Sequence, residues 1–171
     1  YSMSNFTPTF SPNKGSITVA DFEPNVDFTS SANPLSISIG DLDGDGKADL
    51  AVANTASNTV SVFRNTSTGA GDISYATKVD YPTANAPQVV AIGDLDGDGK
   101  ADLAVATFSG NSVSVFRNTS AGVGSISYAA KVDFTTGTAT RAISVGDLDN
   151  DGKVDLAVAN DGGSSVSVFR N

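Results

Sequence analysis

The chain has no cysteine and no histidine in 171 residues, and each absence removes a class of chemistry. Without cysteine there is neither a disulfide framework nor a thiolate metal site. Without histidine the commonest general base, the usual zinc ligand and every Ser-His or Cys-His arrangement are gone. Positive charge is scarce: Lys plus Arg total 10 against 19 Asp plus Glu, a formal net charge of −9. The few basic residues do not cluster, which argues against nucleic acid as a partner. No apolar run approaches the roughly 18 residues of a membrane-spanning segment, and no signal-peptide pattern stands at Tyr1. No stretch sustains a helical period either.

What the chain does have is acid in one arrangement. The pattern Asp-x-Asp-x-Asp-Gly-x-x-Asp starts at Asp41, at Asp94 and at Asp147, a constant interval of 53 residues. Twelve of the 19 acids lie in these three loops. Carboxylates at alternate positions with a glycine after the third are what a hard cation needs when oxygen ligands wrap it from one short loop. The candidate ligands are Asp41, Asp43, Asp45 and Asp49, then Asp94, Asp96, Asp98 and Asp102, then Asp147, Asp149, Asp151 and Asp155. Position seven, held by Lys47, Lys100 and Lys153, can offer only its backbone carbonyl, so the ammonium groups are expected in solvent. Gly46, Gly99 and Gly152 suit the sharp turn at position six, and position four reads Gly44, Gly97 and Asn150, residues that tolerate a left-handed backbone.

Calcium is the expected ion, three per chain, ahead of magnesium, which keeps its waters and an octahedral shell. Three such ions would bring the formal charge from −9 to −3. An EF-hand needs Glu at position twelve and flanking helices, but that position is Val52, Val105 and Val158. Ordinary hairpin turns do not require four acids in nine residues three times over, and such crowding without a counter-ion is unfavourable.

The whole 53-residue unit repeats, not only the loop. Leu35–Gly40 alternates apolar with polar, and its counterparts are Val89–Gly93 and Ala142–Gly146. After each loop come Asp49–Asn54, Asp102–Thr107 and Asp155–Asn160, then Thr59–Asn65, Ser112–Asn118 and Ser165–Asn171. A fourth strand is expected over Ile73–Tyr81 and Ile126–Phe134. The fold class is therefore all-β, with small Ala51 and Ala53 alternating with Leu50 and Val52 as in a sheet covered on both faces. The segment from Ile39 to Ala53 resembles the FG-GAP and VCBS-type repeats of integrin-like β-propellers, and the resemblance runs over nearly the whole chain. It implies four-stranded blades with calcium held in the loop between the first and second strands. The division it suggests is an N-terminal segment 1–34, then blades 35–87 and 88–140, then three strands of a third blade at 141–171.

Three blades are too few for a closed propeller, which typically has four to eight. Phe22–Phe28 lies 53 residues ahead of Tyr75–Tyr81 and reads as a last strand detached from its unit, while the third unit stops after its third strand. The expectation is that this N-terminal strand completes the C-terminal blade of another chain, as a six-bladed homodimeric ring or a filament, unless the chain is part of a longer propeller. The functions this supports are a non-enzymatic calcium-stabilised extracellular module for adhesion, surface attachment or self-assembly, partnered by itself or a cell-surface protein, and alternatively a glycan-binding lectin. The recurring Phe63-Arg64-Asn65, Phe116-Arg117-Asn118 and Phe169-Arg170-Asn171 suit either a sugar subsite or, preferably, packing within the blade. A carboxylate-based glycosidase or lyase would have to draw on Asp21, Glu23, Asp27, Asp72, Asp80, Asp133 or Asp161, but Asp27, Asp80 and Asp133 are one repeated position, which points to structure. Asn5, Asn65 and Asn118 match the glycosylation sequon but read as polar turns.

Overall fold

The computed structural model describes residues 24–171 and contains eleven strands and no helix among them. β1 (Pro34–Gly40), β2 (Asp49–Asn54), β3 (Thr59–Phe63) and β4 (Val79–Pro82) form the first sheet. β5 (Pro87–Gly93), β6 (Asp102–Thr107), β7 (Ser112–Phe116) and β8 (Val132–Thr135) form the second, and β9 (Thr140–Gly146), β10 (Asp155–Asn160) and β11 (Ser165–Phe169) the third. Every pairing is antiparallel between strands adjacent in sequence, so each sheet is a meander of the propeller-blade type. The hairpins after β2, β6 and β10 turn through Asn58, Asn111 and Ser164 at positive φ (53°, 49° and 46°), the conformation that a short polar side chain accepts most readily.

Each sheet has a leading face toward the next sheet and a trailing face toward the previous one. Leu42, Ala51, Ala53, Val60 and Val62 of the first sheet meet Val90, Leu103, Val105 and Phe116 of the second. The seam recurs 53 residues on, where Ala104 and Val113, with Leu95 and Val115, meet Leu156, Val158 and Phe169. Alanines on the leading face let the next sheet approach closely, while Leu and Val on the same strand fill the trailing face. The middle sheet is covered on both sides, and all six residues of β6 are buried. Each fully buried Val, Leu or Phe contributes about 1.5–3 kcal/mol, so the two seams hold the sheets together. Edge-on aromatic pairs flank them: Tyr81 stands 5.1 Å from Tyr128, and Phe28 stands 5.1 Å from Tyr75.

Two sequence expectations are corrected. The fourth strand, expected from Ile73 and from Ile126, is regular only over Val79–Pro82 and Val132–Thr135. Upstream it shrinks to single bridges, Asn65 with Tyr75 and Asn118 with Tyr128. Side chains there capture backbone groups that a ladder would need: Asn65 Oδ1 accepts from Ser67 N, Ser67 Oγ from Ser74 N, and Asp72 from Thr68 N. The third strand likewise ends at Phe63, Phe116 and Phe169, two residues early. In the N-terminal segment Phe22 and Glu23 lie outside the described residues, and Pro24–Phe28 has no ladder. A strand exists only when an edge is there to pair with it.

Candidate metal centre

The three acidic loops join β1 to β2, β5 to β6 and β9 to β10. Each curls because its own carboxylates collect backbone N–H groups. In the first loop Gly44 N and Gly46 N both donate to Asp41 (2.8 Å each), Asp45 N donates to Asp43 (3.1 Å) and Lys47 N donates to Asp45 (2.8 Å). The second loop repeats all four bonds through Asp94, Asp96 and Asp98. The third keeps those to Asp147, Asp149 and Asp151 from Gly152, Asp151 and Lys153. Position six is left-handed in each copy (φ 82°, 83° and 88°), and so is position four, including Asn150 at 63°. One backbone conformation accommodates both residue types.

Carboxylate oxygens lie within 4.8 Å of one another in three groups: Asp41, Asp43 and Asp45; Asp94, Asp96 and Asp102; Asp147, Asp149 and Asp155. Asp49, Asp98 and Asp151 stand outside that spacing in their respective loops. The ninth-position acids have a second role that the motif alone does not reveal. Asp49 is buried, with Leu42 N donating to Oδ2 (2.8 Å) and Asn65 N to Oδ1 (2.7 Å), so it ties the start of its loop to the end of β3. Asp102 and Asp155 hold the equivalent pairs, Leu95 with Asn118 and Leu148 with Asn171.

Burial pushes the Asp49 and Asp102 carboxyls above the ordinary range against those N–H bonds, and the acids at positions three and five add to the rise. For Asp155 the N–H bonds from Asn171 and Leu148 come first, and its carboxyl falls below the ordinary range. Asp155 itself is as little exposed as Asp102, and the difference is that no fourth sheet stands over its loop among the described residues. Lys47, Lys100 and Lys153 are exposed as expected, although Lys100 Nζ also donates to the Ser120 carbonyl (3.0 Å) and Lys47 Nζ lies 3.5 Å from Asp45.

An all-oxygen donor set, crowded acids and a loop already wound by its own N–H groups together fit a hard divalent cation. The acids grouped closely enough to hold it are Asp41, Asp43 and Asp45, then Asp94, Asp96 and Asp102, then Asp147, Asp149 and Asp155. The ion would supply the positive charge that this cluster lacks.

The loops also plug into the neighbouring sheet through residues whose role sequence reading missed. Asn118 Nδ2, fully buried, donates to the Leu42 carbonyl of the preceding loop and to the Ala101 carbonyl, at 2.9 Å each. Asn171 Nδ2 reaches the Leu95 carbonyl at 2.6 Å, and Gly124 N donates to Asp43 Oδ2 at 2.8 Å. Arg117 and Arg170 pair with the position-three acids Asp96 and Asp149 of their own sheets. The Phe-Arg-Asn triplet thus works in the seam, with Phe116 buried against the previous sheet. Asn65 and Asn118 commit their amide nitrogens to carbonyls, as the polar-turn reading of those sequons requires, and Asn5 lies outside the described residues. The available signal was an Asn recurring after each Phe-Arg at the repeat interval.

No helix among the described residues is long and apolar enough to cross a membrane. No curated protein matches the chain. The profile of the FG-GAP-like repeat matches residues 41–105 and again 94–158, each match running from one acidic loop to just beyond the next. With loop, flanking strands and interval all in agreement over more than half its length, the chain belongs to the FG-GAP-like repeat family.

Proposed function

We propose that the chain is a non-enzymatic, calcium-stabilised repeat module that works outside the cell in adhesion, surface attachment or assembly. The observation that carries this reading is the position of the acid clusters. The first two lie in loops whose second residue, Leu42 or Leu95, packs into a seam and has its carbonyl held by the next sheet's Asn. An ion that relieves the carboxylate repulsion therefore acts on the joint between blades as well as on its own loop. Binding to the folded state alone adds about 2.7 kcal/mol per site at a hundredfold excess over Kd. Loops of this kind in extracellular modules operate at about 10⁻⁴ to 10⁻³ M calcium, which supports an extracellular setting.

Scanning calorimetry tests the reading. Excess chelator should lower Tm and millimolar calcium should restore it, whereas an unchanged curve would refute metal stabilisation. Titration calorimetry should give three ions per chain, falling to two for Asp96→Ala; three sites of undiminished affinity would refute the ligand assignment.

A further inference from the structure

The turn Ser120–Ser125, between β7 and β8, reaches across the first seam to one carboxylate of the first acidic loop. Gly124 N donates to Asp43 Oδ2 at 2.8 Å, a contact between residues 81 positions apart. Burial does not hold the tip of the turn there, since Val123 is 70% exposed. Its base is fixed within its own sheet: Ser120 N donates to Asn118 Oδ1 (2.9 Å), Ser127 N to Ser120 Oγ (3.1 Å) and Lys100 Nζ to the Ser120 carbonyl (3.0 Å). At the tip Ser125 N donates to the Gly122 carbonyl (3.2 Å) and Gly124 takes φ 85°. The first sheet makes the same turn, with Asp72 N on the Gly69 carbonyl (3.2 Å) and Gly71 at φ 83°. The shape therefore belongs to the turn and is not imposed by Asp43. Its N–H is aimed in advance, which lowers the entropy lost when an acceptor arrives.

On the other side of the seam, Asp43 is 5% exposed and grouped with Asp41 and Asp45 within 4.8 Å. Carboxylates at that spacing repel one another, and burial strengthens the repulsion by excluding water. The N–H groups of Gly124 and Asp45 offer Asp43 only partial positive charge, where a divalent ion offers a full one. Beside the contact a cavity of about 250 Å³, lined by Asp41–Gly44, Gly99–Ala101 and Ser120–Gly122, gives the loop room to spread when no ion restrains it. A spreading loop draws Asp43 away from the turn. A loop wound round an ion presents Asp43 to it.

We infer that the Ser120–Ser125 turn is a clasp on the first metal loop. Its Gly124 N–H closes on Asp43 when the loop holds calcium and lets go when it does not, so the ion affinity of that loop is set in part by the sheet that follows it. The inference rests on the calcium reading above and adds a residue outside the acidic motif to it. Gly124 is a positioning residue, acting on the ion through the side chain it holds. Coupling of this kind is reciprocal, and it changes affinity by about 5- to 150-fold in typical cases.

Nuclear magnetic resonance of the full chain tests this. Amide hydrogen exchange is compared in millimolar calcium and in excess chelator, with Val105 in the fully buried β6 as the measure of global opening. After the change at Val105 is divided out, the Gly124 amide should exchange at least about fivefold faster in chelator. In the same spectra the amides of Gly46 and Gly152 follow calcium binding to the first and third loops. Gly124→Pro has no N–H and cannot adopt φ 85°. It should raise the calcium midpoint at Gly46 by at least about fivefold and leave that at Gly152 in place. Calcium binding at Gly46 with Gly124 exchange indifferent to the ion overturns the clasp alone, as does an unmoved Gly46 midpoint or an equal shift at Gly152. No response to calcium at Gly46 or Gly152 overturns the calcium reading, and the clasp with it. Should Gly124→Pro lose its β-sheet circular dichroism, Gly124→Ala, which keeps the N–H but strains the left-handed turn that aims it, replaces it under the same criteria.

Discussion

Replacing the second-position leucine of each loop by alanine, one copy at a time, separates packing between sheets from chemistry within the loop. The three leucines sit in the same Asp-Leu-Asp context, yet Leu42 is 2% exposed in the first seam, Leu95 is half-buried in the second and Leu148 is 53% exposed on the open face. Truncating a buried leucine costs the transfer of its methyl groups plus the cavity left behind, about 2–5 kcal/mol. Leu42 should fall near the middle, about 3 kcal/mol. Leu95 should lose about half as much in proportion to its burial, and Leu148 should stay within about 0.5 kcal/mol, as surface changes do. The measurement is urea unfolding followed by circular dichroism in saturating calcium. In thermal unfolding the Leu42→Ala shift should be about 6–12 °C for a domain of this size. Equal losses at the three positions would mean that the leucine acts through its own loop, and the seam argument would fail.

Asn118→Ala removes donors to two carbonyls and the acceptor for Ser120 N in a buried setting, so it should cost about 2–4 kcal/mol, well above Asn171→Ala, whose side chain is exposed. A loss equal to that of Asn171→Ala would refute the role given to the Leu42 carbonyl bond. The Tyr128 hydroxyl is buried without a hydrogen-bond partner, and burial raises its pKa, so Tyr128→Phe should be neutral or stabilising by up to about 1 kcal/mol in a thermal melt; a clear loss would reveal a partner. Burial alone would raise the Asp80 and Asp133 carboxyls, but bonds from Lys78 and Ser61, and from Lys131 and Ser114, hold them below the ordinary range. Their contribution should be complete above about pH 4 and fade as pH falls through the lowered folded values. Asp80→Asn should therefore be less stable than wild type at neutral pH, with the gap closing in acid; a gap that widened in acid would reverse the sign.

The acidic loops were legible because ion chemistry is local: nine residues contain both the carboxylates and the left-handed turns at Gly44, Gly97 and Asn150 that let the loop curl. The second strands were equally plain, Asp49–Asn54 matching β2 residue for residue, since all three copies read as continuous apolar runs, the pattern of a strand that, like β6, is buried on both faces. The fourth strand was read too long because alternation registers side-chain faces and not the competition of Asn65, Ser67 and Asp72 for the backbone. The two roles of Asp49 and the reach of Asn118 to Leu42 were invisible for a different reason. They join residues 16 and 76 positions apart, and no local pattern encodes a partner at that distance. The sequence by itself determined the repeat, the strand period and the acid clusters, all of which depend on neighbours within a few residues. Only the tertiary structure decided which identical copies are equivalent in energy, because burial at Leu42, Leu95 and Leu148 is set by whether another sheet stands against them.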